Sequence, residues 1–162
     1  MQAKEFSDFI YLRLKSFNRR TQDALQAKAL YFMAIAYEKV NLLAEIRPQM
    51  FEAYKSSCLH MDYIGQATLI NIIIRSFISQ NLYEQARNFI SKTTFPESAS
   101  NNQFARYEYY VGRIKTVQLE YSEAQASLIQ ALRKAPEVGA LGFRIQVQKL
   151  LVIVELLMGE IP

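Results

Sequence analysis

The chain has one cysteine (Cys58), one histidine (His60) and no tryptophan. A single cysteine excludes an intrachain disulfide and fits a reducing compartment. One cysteine and one histidine are too few for a metal site of the zinc-finger type. Two residues apart on a helix, they would point about 200° from each other, so we do not expect a Cys-His dyad. The sequence predicts no metal, no cofactor and no enzymatic activity.

Glycine and proline are also scarce, with five and four residues among 162. This leaves little turn material for a sheet-rich fold. The longest apolar run, from Leu150 to Met158, is interrupted by Glu155 and is far shorter than the roughly 20 residues that span a bilayer. The first residues lack a charged start followed by an apolar core, so no secretory signal is predicted. We therefore expect a soluble intracellular chain with no membrane partner.

The charge of the chain is modest and dispersed. The formal net charge is +4, and the basic residues are scattered apart from short pairs such as Arg133-Lys134. A non-specific nucleic-acid binder is expected to cluster its lysines and arginines more strongly. Direct nucleic-acid binding is therefore not expected. The hydrophobic share of 51% with 21% charged residues indicates a globular protein.

A short sequence unit is repeated in the second half of the chain. The segments 82–86 and 120–124 both place a tyrosine three residues before an alanine, and Tyr83 and Tyr121 lie 38 residues apart. A fixed period in this range is typical of stacked helical hairpins. The sequence predicts an all-α, tetratricopeptide-like helical-hairpin array, an α-solenoid with a right-handed superhelix. Such arrays present extended surfaces to partners.

We interpret residues 1–162 as a single repeat segment of a longer protein, which helical periodicity divides into hairpins. The predicted hairpins cover about 22–60, 66–93 and 103–135, and an incomplete hairpin covers 143–162. In the first hairpin, residues 24–40 are predicted to form a helix that carries Leu25, Ala29, Phe32, Ala36 and Val40 on one stripe. The segment 95–102, rich in proline, serine and asparagine, is predicted as a loop.

The hairpin over 103–135 fits the tetratricopeptide pattern best. Gly112 is predicted to let its two helices approach closely, with the small Ala124 facing it and Leu128 one turn further on. Pro136 is predicted to stop the second helix. Ala86 takes the place of Ala124 in the preceding hairpin. These five residues are the predicted repeat-packing set.

The match to this pattern is degenerate. Glu108 stands where a large apolar residue is usual, and Lys115 replaces the usual tyrosine. The preceding hairpin has Ile74 in place of glycine. The period also exceeds the roughly 34 residues of the standard repeat.

Matching positions in the first helices of two hairpins suggest a polar strip. Arg75 and Arg113 are one period apart; one turn earlier lie Asn71 and Tyr109, and Arg106 lies a further turn before Tyr109. If these positions line the concave face, they form a basic surface for an extended acidic segment. Alternatively, both arginines brace neighbouring repeats. The sequence leaves the two interpretations open.

Several segments together resemble a known family. They are Gly65–Asn71, Asn101–Tyr107, Gly112–Lys115, Gln118–Ala124, Ala131–Pro136 and Lys149–Pro162. They resemble the non-ATPase subunit 3 family of the 26S proteasome regulatory-particle lid, across roughly 18–162. Members of this family carry a tetratricopeptide-like array followed by a winged helix, the PCI arrangement. The resemblance implies that residues 1–162 correspond to the array alone.

The resemblance implies a non-catalytic scaffold for ubiquitin-dependent degradation, located in cytoplasm and nucleus. The implied partners are other lid subunits and a small acidic, largely disordered tether subunit. Two alternatives stay open. One is a tetratricopeptide adaptor that binds acidic peptide C-termini, and the other is a PCI-type arm of a translation-initiation or mRNA-export complex.

Overall fold

The computed structural model describes residues 2–15 and 20–161, and all regular structure in these ranges is helical. Met1 and Pro162, the ends of the predicted repeat segment, lie outside the described residues. A short 3-10 turn, Arg20–Gln22, precedes the second helix. The helices are α1 (Gln2–Lys15), α2 (Asp23–Lys39), α3 (Arg47–Leu59), α4 (Tyr63–Ser79), α5 (Tyr83–Lys92), α6 (Asn101–Val117), α7 (Tyr121–Lys134) and α8 (Leu141–Met158). The all-α prediction is confirmed.

The chain divides into two compact units. The first unit comprises residues 1–76 and 95–98, and the second comprises residues 77–94 and 99–162. Helices α1 to α3 and most of α4 belong to the first unit. Helices α5 to α8 and the last residues of α4 belong to the second.

Five helices end in the same turn. Helix α3 does so at Met61, which has a φ of 55° and is followed by the bond Asp62→Ser57 of 2.9 Å, and the other four are α2, α4, α6 and α8. The residue two positions beyond the end of α2, α4 and α6 has a positive φ, at Asn41, Asn81 and Leu119, and Gly159 directly follows α8 with a φ of 83°. These four positions follow one another at intervals of 40, 38 and 40 residues. In each turn, the N–H of the residue after the positive-φ residue donates to the carbonyl oxygen five residues earlier, as in a Schellman motif. In these four turns the bonds are Leu42→Tyr37, Leu82→Phe77, Glu120→Lys115 and Glu160→Glu155, each 2.9 or 3.0 Å long.

Leu119 is the least suitable residue in this series, because a side chain with a Cβ is strained at its φ of 65°. We expect Leu119→Gly to raise the free energy of unfolding by about 0.5 to 1 kcal/mol, the relief of strain exceeding the added flexibility of the unfolded chain. Chemical denaturation measures the change. Asn81→Gly is the matched control, since asparagine tolerates this conformation. Equal changes in the two variants would contradict the prediction.

The core of the second unit lies between α7 and α8 and extends to α6. Five side chains in it have no solvent exposure. Alanines spaced seven residues apart on α7 keep one side of that helix narrow, so its neighbours approach closely. The buried residues are Ala124, Leu128, Ala131, Val147 and Val154, flanked by Tyr109, Phe143 and Leu150 among others.

In the first unit, α1 packs on α2 around Tyr37. The Tyr37 hydroxyl donates to the Asp8 carboxylate over 2.9 Å, and the Lys4 ammonium lies 4.6 Å from the centre of the tyrosine ring. Burial and the bond to Asp8 raise the pKa of Tyr37 to about 12. This contact fixes which side of α2 faces inward.

The stripe predicted on α2 is largely not the buried side of this helix. Ala29 is buried, but Leu25, Phe32 and Val40 are 55%, 62% and 41% exposed. The helix is apolar on several sides, and the inward side is the one that carries Tyr37. That side consists of Ala27, Ala29, Leu30, Met33, Ala34 and Tyr37.

Helix α4 is buried on all sides over two turns. Every residue from Ala67 to Ile74 is buried. This agrees with its composition, which is apolar around the whole circumference, as expected for a helix enclosed by neighbours.

Candidate partner-binding surface

Arg75 is exposed and lies beside Glu38 of α2 in the first unit. Its guanidinium donates through Nε to Glu38 Oε1 at 3.1 Å and approaches Glu38 Oε2 to 2.8 Å through a terminal nitrogen. The side chains remain 45% and 34% exposed, so the pair contributes little to stability. Helix α2 precedes α4 along the chain, so Arg75 braces two consecutive first helices. It still presents part of its guanidinium to solvent.

Asn71 does not belong to the predicted surface strip. It is only 5% exposed, one turn before Arg75 on α4. Because α4 is enclosed over this stretch, a polar residue at the predicted position points into the interior. The prediction of Asn71 as a partner-binding residue is therefore wrong.

Arg106, Tyr109 and Arg113 follow one another along α6 in the second unit. Arg113 is exposed, and within the described ranges no hydrogen bond or ion pair involves it. Arg106 and Tyr109 are half-buried. The Tyr109 ring lies 5.6 Å from the Phe143 ring of α8, edge to face, and contributes to the hydrophobic core. Of the three, only Arg113 is exposed.

The proposed ladder of arginines joins residues of different units. Arg75 belongs to the first unit and Arg113 to the second. Their alignment therefore stays a prediction from the 38-residue spacing. Each arginine is accessible within its own unit, which is what a basic surface requires.

Gly112 lies where α6 and α7 cross. A Cβ at this position would be 2.9 Å from two side-chain carbons of Leu128 and 3.4 Å from the carbonyl oxygen of Ala124. Ala124 and Leu128 are both fully buried. The absence of a side chain at Gly112 therefore allows the close approach of the two helices.

The other two repeat-packing residues occupy different environments. Ala86 on α5 is fully buried, like Ala124 in the next hairpin. Pro136 is exposed, two residues beyond the end of α7. Ala135, between the end of α7 and Pro136, has the extended backbone that a following proline favours.

A polar contact that we did not predict recurs between consecutive hairpins of the second unit. The Arg87 guanidinium on α5 donates to the Glu120 carboxylate at the start of α7 over 3.1 Å. One repeat later, the Gln125 amide on α7 donates to the Glu160 carboxylate over 3.1 Å. Glu120 and Glu160 each follow the positive-φ residue of a helix-ending turn. The 38-residue spacing of Arg87 and Gln125 was the available sequence signal.

Glu108, at a position where repeats usually carry a large apolar residue, is half-buried on α6. Burial raises the pKa of Glu108, while a hydrogen bond with Ser127 and the charge of Lys115 partly oppose the shift. Lys115 is itself paired with Glu123 of α7 at 2.7 Å. The Lys115 ammonium lowers the pKa of Glu123.

We expect Glu108→Gln to raise the unfolding midpoint at neutral pH. A carboxyl whose pKa is higher in the folded state stabilises the fold while protonated, and that contribution is lost as pH rises through the folded-state pKa. The neutral amide removes this loss and still accepts a hydrogen bond from Ser127. Thermal melts of both proteins between pH 3 and pH 8 measure the difference, which should vanish below the usual glutamate pKa of 4.5. A difference that grows toward low pH would contradict the prediction.

Residues 2–15 and 20–161 hold no group of three or more potential metal ligands. Cys58 and His60 are both exposed at the end of α3. A groove of about 820 Å³ in the first unit is lined by residues such as Glu52, His60 and Asp62. Asp62 is already engaged, since its carboxylate accepts from the backbone N–H of Gly65 at 2.9 Å.

The helices also lack the features of a membrane span. Over the part of the chain that the structure describes, none is both long enough and apolar enough to cross a bilayer.

The recurring turns, the small buried residues and the helical hairpins define the class of protein: a helical-hairpin repeat protein. Residues 1–162 match the family model described as PSMD3-like, N-terminal TPR repeats. The chain belongs to this family.

Curated relatives agree along almost the whole chain. The 26S proteasome non-ATPase regulatory subunit 3 homolog B of Arabidopsis thaliana is 48% identical over 161 residues, 99% of this chain and 33% of the relative. Homolog A from the same plant is 45% identical over the same shares. The 26S proteasome non-ATPase regulatory subunit 3 of Dictyostelium discoideum is 46% identical over 160 residues, 99% of this chain and 32% of the relative. The chain thus spans about a third of these relatives' length.

Proposed function

We propose that this chain is a non-catalytic scaffold segment of the regulatory-particle lid of the 26S proteasome, acting in ubiquitin-dependent protein degradation in cytoplasm and nucleus. The observation that carries the proposal is the family match over residues 1–162. The relatives are named as non-ATPase regulatory subunits of the proteasome. A repeat array with exposed cations is suited to holding neighbouring subunits in place.

We further propose that the helical hairpins continue beyond α8. The turn at Gly159-Glu160 repeats the turns that lead into the next helix after α2, α3, α4 and α6. The Gln125–Glu160 contact likewise repeats Arg87–Glu120. On this basis α8 is the first helix of a further hairpin, and residues 1–162 form one repeat segment of a longer protein.

The proposed partners are other lid subunits and a small acidic, largely disordered tether subunit. Arg113 supports the acidic partner, because it is exposed and has no counter-ion within the described ranges. Arg75 supports it less, since Glu38 already neutralises its charge. An acidic segment gains more by pairing with an uncompensated guanidinium.

Affinity purification of the tagged chain from cell lysate, followed by mass spectrometry, tests the scaffold proposal. We expect several proteasome lid subunits to co-purify with the chain. The Arg113→Glu variant should recover less of the acidic tether subunit. Lys134→Glu is the matched control, since it reverses another exposed cation of the same unit.

Other outcomes would support the alternatives. Recovery of chaperones alone would favour an adaptor for acidic C-termini, provided that a free peptide C-terminus binds and its amidated form does not. An RNA-dependent set of ribosomal or export factors would favour the PCI-type arm and contradict the lid proposal.

A further inference from the structure

The outward side of α2 combines apolar and basic side chains. Leu25, Phe32 and Val40 are exposed there, at spacings of seven and eight residues that place them within roughly 80° of the helix circumference. Lys28 and Lys39 are exposed on the same side. We call these five residues the outer face of α2.

The carboxylates of α2 do not neutralise this face. Asp23 and Glu38 lie outside its sector by helical periodicity, and Glu38 is paired with Arg75. The outer face therefore carries two cations and no anion from its own helix. An apolar stripe that is flanked by cations and no anions favours a partner with apolar anchors and flanking carboxylates.

The other side of α2 is already occupied. Helix α1 contacts α2 around Tyr37, which is about 140° from Phe32 around the helix. Because that side is packed against α1, α2 cannot insert into a lipid bilayer as a fully lipid-surrounded helix. A second copy of the same face would place Lys28 and Lys39 against like charges, which is unfavourable.

We propose that the outer face of α2 docks an acidic amphipathic helix of a partner protein, with apolar residues about one heptad apart and carboxylates beside them. The docking mode is helix against helix, with Leu25 and Phe32 as the anchors. The inference goes beyond the scaffold function, and it does not involve Arg75 or Arg113.

Peptide binding to the whole 162-residue chain tests the proposal. The probe is a fluorescent synthetic helix with leucine at every seventh position and glutamates on both sides. The comparison peptide carries lysines in place of the glutamates. We expect only the glutamate peptide to bind the original chain. Phe32→Ser should weaken this binding about tenfold or more. The double variant Lys28→Glu with Lys39→Glu should instead prefer the lysine peptide. All three changed positions are exposed, so the fold is expected to persist, which circular dichroism verifies.

Leu12→Ser on α1 is the matched control, because Leu12 is 65% exposed and lies on another helix. Equal loss of binding in Leu12→Ser and Phe32→Ser would overturn the proposal. So would equal binding of both peptides, or concentration-dependent dimerisation that Phe32→Ser abolishes. Phe32-dependent binding to anionic phospholipid vesicles without peptide binding would identify a lipid surface instead. If no lid subunits co-purify with the chain from lysate although the glutamate peptide binds it as expected, that result would count against the scaffold proposal alone.

Discussion

Replacing Gly112 with leucine is expected to lower the free energy of unfolding by about 3 kcal/mol. The first atom of any side chain at this position would lie 2.9 Å from Leu128, a residue with no solvent exposure. The carbonyl oxygen of Ala124 would lie 3.4 Å from the same atom. A larger side chain therefore has to push α6 and α7 apart, and the core shared with α8 loses contacts.

Gly142→Leu provides the matched control for this effect. Gly142 lies in the first turn of α8, and nothing is within 4 Å of the position where its Cβ would be. Leucine is a good helix former, so Gly142→Leu should leave stability unchanged or slightly raised. Chemical denaturation of both variants measures the difference. Similar losses in the two variants would mean that the crossing of α6 and α7 does not depend on Gly112.

Leu128→Ala is expected to cost about 2 to 5 kcal/mol. Leu128 is fully buried in the core of the second unit. Its removal leaves a cavity that neighbouring helices fill only in part. Leu156→Ala on α8 is the matched control, because Leu156 is 60% exposed and its truncation should change stability by less than about 0.5 kcal/mol.

Combining the two sites provides a separate check on their contact. Leu128→Ala removes the atoms that a side chain at position 112 would meet, so Gly112→Leu should cost less in that background than in the original protein. Equilibrium denaturation of the single and double variants gives the coupling. Strictly additive losses would contradict a direct contact between the two positions.

The repeat architecture could be predicted because its markers are local and periodic. Ala86 and Ala124 recur one period apart, and both are fully buried. Small residues recur where helices cross, since a larger side chain would separate them. Asn41 and Asn81 are residue types that favour such a turn, whereas Leu119 is an unexpected residue for the same conformation.

The candidate surface was harder to predict from the sequence. The positions of Arg75 and Arg113 identified two exposed side chains. The same periodic argument placed Asn71 on the surface, although it is buried. Residue type does not reveal this, because α4 is buried on all sides from Ala67 to Ile74 and a polar residue within that stretch has no outward side to occupy. The Arg87–Glu120 and Gln125–Glu160 contacts depend on how one hairpin meets the next.

The sequence by itself determined the helical-hairpin class, the period and the residues at the closest helix crossing. These follow from spacing along one chain. The tertiary structure decided which side of α2 faces inward, because that helix is apolar on several sides and the contact of α1 at Tyr37 selects one of them. It thereby left Leu25 and Phe32 exposed. A periodic pattern specifies a helix, but only its packed neighbours specify which face is buried.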